Sequence, residues 1–282
     1  MFFGSNNNFS RTSMNRVITP VFGSAWTSKT ANTDQRASKP AGAGTVDAGF
    51  LFCGYGAPAL ATSEEYNGTS WSAGGTASNA LFYVSGWGTQ TSAVRAGGNS
   101  SNSTSEEYNG TSWASGGTLG TGRDQAAGAG ASITAGVIFG GYNSGILSSS
   151  EEYNGTSWSS GGTMVTGRFS FGGGGSGGTI DNCIVAGGWD GAIMDESESY
   201  NGTSWTGEGT MGSAISNNVA GGGQATGIRM GGTSSAVTET YAGTSWSSES
   251  SLNSSNAAQA SLGDAVSALV MAGDSKVVEE WA

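Results

Sequence analysis

Apolar and polar positions alternate along this chain on a long period. A short apolar run ending in glycine comes first, as in Phe50-Leu51-Phe52-Cys53-Gly54-Tyr55, Val137-Ile138-Phe139-Gly140-Gly141-Tyr142 and Ile184-Val185-Ala186-Gly187-Gly188-Trp189. Weaker copies lie at 94–98, 228–232 and 269–273. A polar phrase closing on tryptophan follows, first as Glu64-Glu65-Tyr66-Asn67-Gly68-Thr69-Ser70-Trp71. It recurs at 106–113 and 151–158, in looser form at 198–205 and 239–246, and as a worn copy ending at Trp26. Trp26, Trp71, Trp113, Trp158, Trp205 and Trp246 stand 41 to 47 residues apart. A period of this size marks stacked supersecondary units.

Asn-Gly between strand formers is a hairpin signal, because both central positions of a type I′ turn need φ > 0. A two-residue loop at Asn67-Gly68 pairs Tyr66 with Thr69, Glu65 with Ser70 and Glu64 with Trp71. Side chains alternate faces along a strand, so Glu64, Tyr66, Thr69 and Trp71 share one face. The Tyr and Trp are then placed to pack against the neighbouring unit. Ahead of the apolar strands lie small-residue stretches such as 41–44 and 127–130. Small side chains suit strands crowded round a common axis.

Each unit thus supplies four strands, and four-stranded units repeated round a ring make a β-propeller. The expected fold is all-β: a six-bladed β-propeller of four-stranded antiparallel blades. The segment 277–281 ends with Trp281 at the tyrosine position, and no tryptophan strand follows it. The strand through Trp26 fills that place, so N- and C-terminal strands share one blade and close the ring. The propeller is assigned to 17–282. Residues 1–16 form an N-terminal arm, either disordered or docking onto an assembly through Phe2, Phe3 and Phe9.

The strand ending in Gly-Gly, then Tyr, then Trp resembles the kelch repeat, over roughly residues 18–282. The interval from Tyr to Trp is shorter here than in that family. The terse Tyr-Asn-Gly-Thr-Ser-Trp version is also similar to short propeller repeats in structural proteins of marine bacteriophages, especially those infecting cyanobacteria. That resemblance implies a virion location, in a tail or on a capsid surface.

Composition narrows the function further. Ten Lys and Arg against 21 Asp and Glu give a net charge of -11. Nucleic acid is excluded as a partner, since phosphate binding needs cations to displace counterions. Anionic membrane surfaces are disfavoured for the same reason, and no apolar run approaches the ~20 residues of a membrane span. The first residues lack the basic and apolar regions of a secretory signal. Cys53 and Cys183 fall in different units and are expected to be unbridged, buried thiols.

Catalytic chemistry is sparse. The chain has no His, which removes a Ser-His-Asp triad and the common zinc and copper ligand sets. No metal or cofactor is expected. Aligning a sialidase box on Gly68 and Trp71 puts Tyr66 where Asp is needed. Glycosidases use two carboxylates, and Glu64, Glu106, Glu151, Glu198, Glu239 and Glu279 are candidates. They recur in all six units, two residues before the aromatic, whereas a catalytic pair occurs once. They are therefore read as structural, with backbone amides or Arg36, Arg123 and Arg168 as donors. Each of these arginines follows its tryptophan by ten residues.

Aromatics follow the glycine signal at Tyr55, Tyr142 and Trp189, on the side opposite the Asn-Gly turns. Arg36, Arg123 and Arg168 fall near the same side. These six residues are the candidate binding set, for sugar or protein recognition. The leading expectation is a non-catalytic virion structural or adhesion protein. Its partners would be neighbouring virion proteins, reached through the arm or a propeller face, or a host-surface glycan or receptor. A carbohydrate-binding lectin is the alternative, and a glycan-cleaving enzyme the least favoured. The oligomeric state is left open.

Overall fold

The computed structural model describes residues 25–34, 36, 40–175, 178–253, 258–263, 268–272 and 278–281. The proposed arm at 1–16 and the start of the worn first copy lie outside them. Among the described residues there are 24 strands and no helix. After β1 (Trp26–Lys29), the first repeat unit runs β2 (Ala41–Thr45), β3 (Ala48–Phe52), β4 (Ser63–Tyr66) and β5 (Trp71–Ala73). The second runs β6 (Ser85–Thr89), β7 (Ser92–Ala96), β8 (Thr104–Tyr108) and β9 (Trp113–Thr118). The third has β10 (Ala127–Ser132), β11 (Ala135–Phe139), β12 (Ser150–Tyr153) and β13 (Trp158–Ser160). The fourth has β14 (Gly172–Gly175), β15 (Cys183–Ala186), β16 (Ser197–Tyr200) and β17 (Trp205–Gly207). The fifth has β18 (Val219–Gly221), β19 (Gly227–Met230), β20 (Thr238–Tyr241) and β21 (Trp246–Ser248). The last has β22 (Ala258–Gly263), β23 (Ala268–Ala272) and β24 (Val278–Trp281).

Within each unit the strands pair antiparallel in chain order. The last unit takes its fourth strand from β1, with Trp26 opposite Trp281 and ring centroids 5.5 Å apart. The first strands touch in a closed circuit, β2 to β6, β10, β14, β18, β22 and back to β2.

Six separate four-stranded sheets are not what forms. The hydrogen-bonded sheets number five, four of four strands and one of eight. In the eight-stranded sheet β10 and β14 pair in parallel, Gly128 with Gly174 and Ala129 with Gly175. Three of these four residues have no side chain, so neighbouring inner strands come close enough to bond. The small-residue rule for inner strands also has an exception in Trp87, fully buried on β6. Its ring fills the space over glycines of the next unit. A Cβ on Gly136 would lie 2.2 Å from it.

The hairpin register differs from the two-residue loop. Tyr66 lies opposite Trp71 and Glu64 opposite Ala73, so the loop holds four residues. The Asn67 side chain decides this, because its Oδ1 accepts from the amides of Thr69 (3.0 Å) and Ser70 (2.9 Å). Asn109, Asn154 and Asn201 repeat the arrangement. Only the glycine then needs positive φ, +88° at Gly68. The slip is even-numbered, so Glu64, Tyr66 and Trp71 still share a face. Tyr–Trp ring centroids lie 4.8–5.3 Å apart in five units.

The first glutamate of each phrase is buried and binds the linker entering its own unit. Thr33, Ser78, Gly120, Val165, Gly212 and Asn253 donate their backbone amides to Glu64, Glu106, Glu151, Glu198, Glu239 and Glu279. Each donor lies seven residues after a repeat tryptophan. An arginine completes the carboxylate's partners in five units. Arg36, Arg123 and Arg168 arrive from the linker, at 3.3, 2.8 and 2.5 Å from Glu64, Glu151 and Glu198. In the other two, Arg95 and Arg229 arrive from the second strand, with Nε 2.6 and 2.8 Å from Glu106 and Glu239. Asn253 also donates through Nδ2 to Glu279 at 2.9 Å.

The second glutamate joins its unit to the following one. Tyr108, Tyr153 and Tyr200 donate their hydroxyls to Glu65, Glu107 and Glu152 of the preceding unit, at 2.8, 2.7 and 2.5 Å. In the fourth unit Ser199 replaces that glutamate, and Glu208 takes over the bond to Tyr241 at 2.7 Å. Burial first, and the bonded carboxylates second, push Tyr153, Tyr200 and Tyr241 up to about 12.

Two predictions follow from these clamps. Glu151→Ala leaves Arg123 buried without its carboxylate, which costs about 3–5 kcal/mol. Thermal unfolding should register this as a fall of several degrees, and an unchanged melting temperature contradicts the clamp. The tyrosines are held neutral in the folded state, with folded values above the unfolded ~10. Their contribution is therefore complete below pH ~10 and is lost as pH rises towards 12. A pH series of melting curves should show that loss, and Tyr153→Phe should make it smaller.

Candidate functional site

The candidate face is built where each second strand ends. Two residues with positive φ turn the chain outward there: Gly97 and Gly98, Gly140 and Gly141, Gly187 and Gly188, and Gly231 and Gly232. In the first unit Cys53 (φ 59°) takes the first place beside Gly54. A Cβ on Gly140 would meet the Arg168 carbonyl oxygen at 2.7 Å, so the linker crossing behind leaves no room for a side chain at that residue.

A short hairpin follows in three units. Leu60, Leu147 and Met194 donate their amides back to the carbonyls of Gly54, Gly141 and Gly188, at 2.7, 2.9 and 3.0 Å. Tyr55, Tyr142 and Trp189 stand on its first limb, opposite Ala59, Ile146 and Ile193. All three aromatics are exposed, at 40, 38 and 38 %. Ile146 and Ile193 are exposed as well, at 39 and 50 %. Sequence reasoning passed over these isoleucines. The signal for them was their position, four residues after the aromatic in each loop.

Phe169, on the linker between the third and fourth units, ties two of these loops together. Its ring centroid lies 5.5 Å from that of Tyr142. Its backbone exchanges hydrogen bonds with Trp189, at 3.1 and 2.9 Å. Tyr142, Phe169 and Trp189, with Ile146 and Ile193, make one apolar ridge across two units. Tyr55 is not part of it and instead packs edge-on against Phe82 at 5.4 Å.

Arg36, Arg123 and Arg168 lie beneath this face, buried. Besides the carboxylates, each binds carbonyls of its unit's loop. Arg123 Nη1 donates to Gly140 (3.0 Å) and Ser149 (2.8 Å), and Arg168 Nη1 to Gly187 (3.0 Å) and Glu196 (2.9 Å). Arg36 Nη1 does the same to Cys53 (2.6 Å) and Thr62 (3.0 Å). The arginines therefore hold the bases of the aromatic loops from below. Arg95 and Arg229 were missed in the sequence. Each is the single charged residue of its strand, β7 or β19.

Towards the axis, four residues with positive φ stand two positions before an inner strand: Tyr83, Gln125, Ser170 and Asn217. Left-handed backbone at residues other than glycine costs on the order of 1–3 kcal/mol each. Hydrogen bonds between units hold three of them, from Ser170 N to Gln125 O (3.2 Å) and from Asn217 N to Ser170 O (2.7 Å). Burial pushes the Asp124 carboxyl, beside this belt, above its usual range, against hydrogen bonds from Gln125 and Ser101. Cys53 and Cys183 are unbridged and buried. Burial raises both thiols, Cys53 to about 11. Among the described residues no group of three His, Cys, Asp or Glu is arranged to hold a metal ion. No helix there is long and apolar enough to cross a membrane.

No family model matches the sequence, and no curated protein matches it. Among solved structures, the chain is similar to that of YjhT, with a TM-score of 0.69 and 14% identity. The likeness spans 88% of this chain and 94% of that one. The fold is a β-propeller. Its blades are four-stranded and antiparallel. At this identity the likeness carries the fold and no activity, so the propeller's function must be argued from its surface.

Trp189 is 38 % exposed, whereas Trp113, Trp158 and Trp246 are half-buried and the other five tryptophans are buried. Acrylamide quenching of tryptophan fluorescence should fall clearly in Trp189→Phe, with the melting temperature unchanged. Equal quenching in both proteins would mean that Trp189 is covered.

Proposed function

We propose that this propeller is a non-catalytic adhesion or structural protein of a virus particle. Its ridge of Tyr142, Phe169, Trp189, Ile146 and Ile193 binds a host-surface glycan or a neighbouring protein. The observation that supports this reading is the exposure of that ridge on a scaffold whose repeated carboxylates are already engaged. The six first glutamates bind linker amides, five of them also arginine. None is left as a general acid. Clustered aromatic and aliphatic side chains of this kind are characteristic of recognition surfaces.

The virion setting is supported by the style of the repeat, which resembles short propeller repeats of marine phage structural proteins. The eight-stranded sheet is read as two blades joined at their inner strands. The propeller then has six blades, with kelch-like repeats. A lectin outside any particle is the second reading, favoured by aromatic faces beside the polar Asn143 and Asp190.

Glycan arrays and pull-downs with wild type, Tyr142→Ala and Trp189→Ala test the ridge. Both variants should lose at least tenfold in binding, the ~1.4 kcal/mol that one aromatic anchor supplies, at unchanged thermal stability. Equal binding by all three proteins removes the ridge from the function. Presence of the chain in purified virions separates the first reading from the second.

A further inference from the structure

The ridge is built in two rows. Tyr142 lies opposite Asp124 on one side and Ile146 on the other, and Trp189 lies likewise between Phe169 and Ile193. Directly opposed residues of an antiparallel pair point to the same side, so each row presents its three side chains together. Asp124 and Phe169 hold equivalent places, since each follows a linker arginine, Arg123 or Arg168. One row is therefore wholly apolar, and the other ends in a carboxylate beside a tyrosine ring. The contact between Tyr142 and Phe169 joins the two.

Charge around the ridge has one sign. The loops 142–147 and 189–194 contain no Lys or Arg. Asp190 and Glu196 are exposed, and Asp124 and Asp195 are half-buried. The described cations are Lys29 and five arginines, and each is bonded to a glutamate of the scaffold. Asp124 accepts from Gln125 Nε2 at 3.4 Å and from the Ser101 backbone, both neutral donors. The apolar part of the ridge separates ligand classes further. Ile146 and Ile193 are as exposed as the aromatics. A branched aliphatic chain offers a sugar ring no flat face, and hydroxyls laid over it would be buried unpaired. Apolar protein side chains cover isoleucine and aromatic ring alike without that cost.

We propose that the ridge docks a basic protein segment, one whose apolar side chains are accompanied by Lys or Arg. Its apolar residues cover Phe169, Trp189 and Ile193, and a cation lodges between the Asp124 carboxylate and the Tyr142 ring. Carboxylate and ring face both attract a cation. Asp190 and Glu196 add attraction at the rim, which steers the approach of a positive partner. The net charge of -11 works in the same direction. A second copy of this chain carries that same charge and is disfavoured. The proposal rests on the reading of the ridge as the recognition surface, and narrows its partner to a protein of opposite charge.

A library of random peptides would be panned on wild type and depleted on Trp189→Ala. Enriched sequences should carry Lys or Arg beside apolar residues. The strongest of them, synthesised with a fluorophore, would be measured by anisotropy against wild type, Trp189→Ala and Asp124→Asn, each checked by thermal melting. Asp124→Asn keeps the shape and removes the charge, and should weaken binding about tenfold. Replacing the peptide's cations with glutamine should do the same. Neutral and acidic glycan arrays form the other arm. Glycan binding lost in Trp189→Ala, with no peptide enriched, overturns the basic partner and spares the ridge. Enriched peptides without cations, or binding unchanged by either charge removal, also overturn the basic partner. A ridge that binds neither peptide nor glycan overturns both readings.

Discussion

A buried carboxylate has to be surrounded by donors, and this requirement organises the propeller. The first glutamate of each phrase sits on the third strand of its unit and draws in the linker that enters that unit. The linker buries an apolar residue just before the bonded amide in five units, Ala77, Leu119, Met164, Met211 and Leu252, and the carboxylate fixes the backbone beside it. Its amide, seven residues beyond the tryptophan, is fixed to the carboxylate in all six units. Once the linker is fixed, the next inner strand starts at a set height. The belt of left-handed residues follows from that.

The phrase is consumed by these contacts almost residue by residue. The first glutamate binds the linker and the second binds the next unit's tyrosine. Asparagine closes the turn, and tryptophan packs on tyrosine. At the opposite end of the units, the turn after the glycine pair presents the exposed side chains of Tyr55, Tyr142 and Trp189. The arginines that were candidates for ligand binding are placed between the two roles. They brace the loops that carry the aromatics and do not themselves reach the surface.

The period, the strand order and the facing of Glu, Tyr and Trp were legible in the sequence, because each depends on local alternation repeated many times. The turn length was not, since Asn-Gly suits a two-residue loop and the longer one is selected by the asparagine side chain bonding two amides ahead. The joined sheet depends on Gly128, Gly174 and Gly175 meeting across units, a long-range approach that no local pattern encodes. Tyr142 and Trp189 were found as candidates, but their link through Phe169 was not. That residue stands on a linker, outside both recurring phrases.

The arginines show a further regularity within the chain. In five units the arginine that meets the glutamate comes from one of two positions, one on the linker and one on the second strand. Where the linker carries Arg36, Arg123 or Arg168, the strand residue opposite the glutamate is Leu51, Ile138 or Val185. Where the strand carries Arg95 or Arg229, the linker place ten residues after the tryptophan holds Leu81 or Ile215. One cation and one aliphatic group thus trade places around a fixed anion. The same carboxylate is served by a cation from either side, and in the last unit, where neither position is arginine, by the backbone amide and side chain of Asn253.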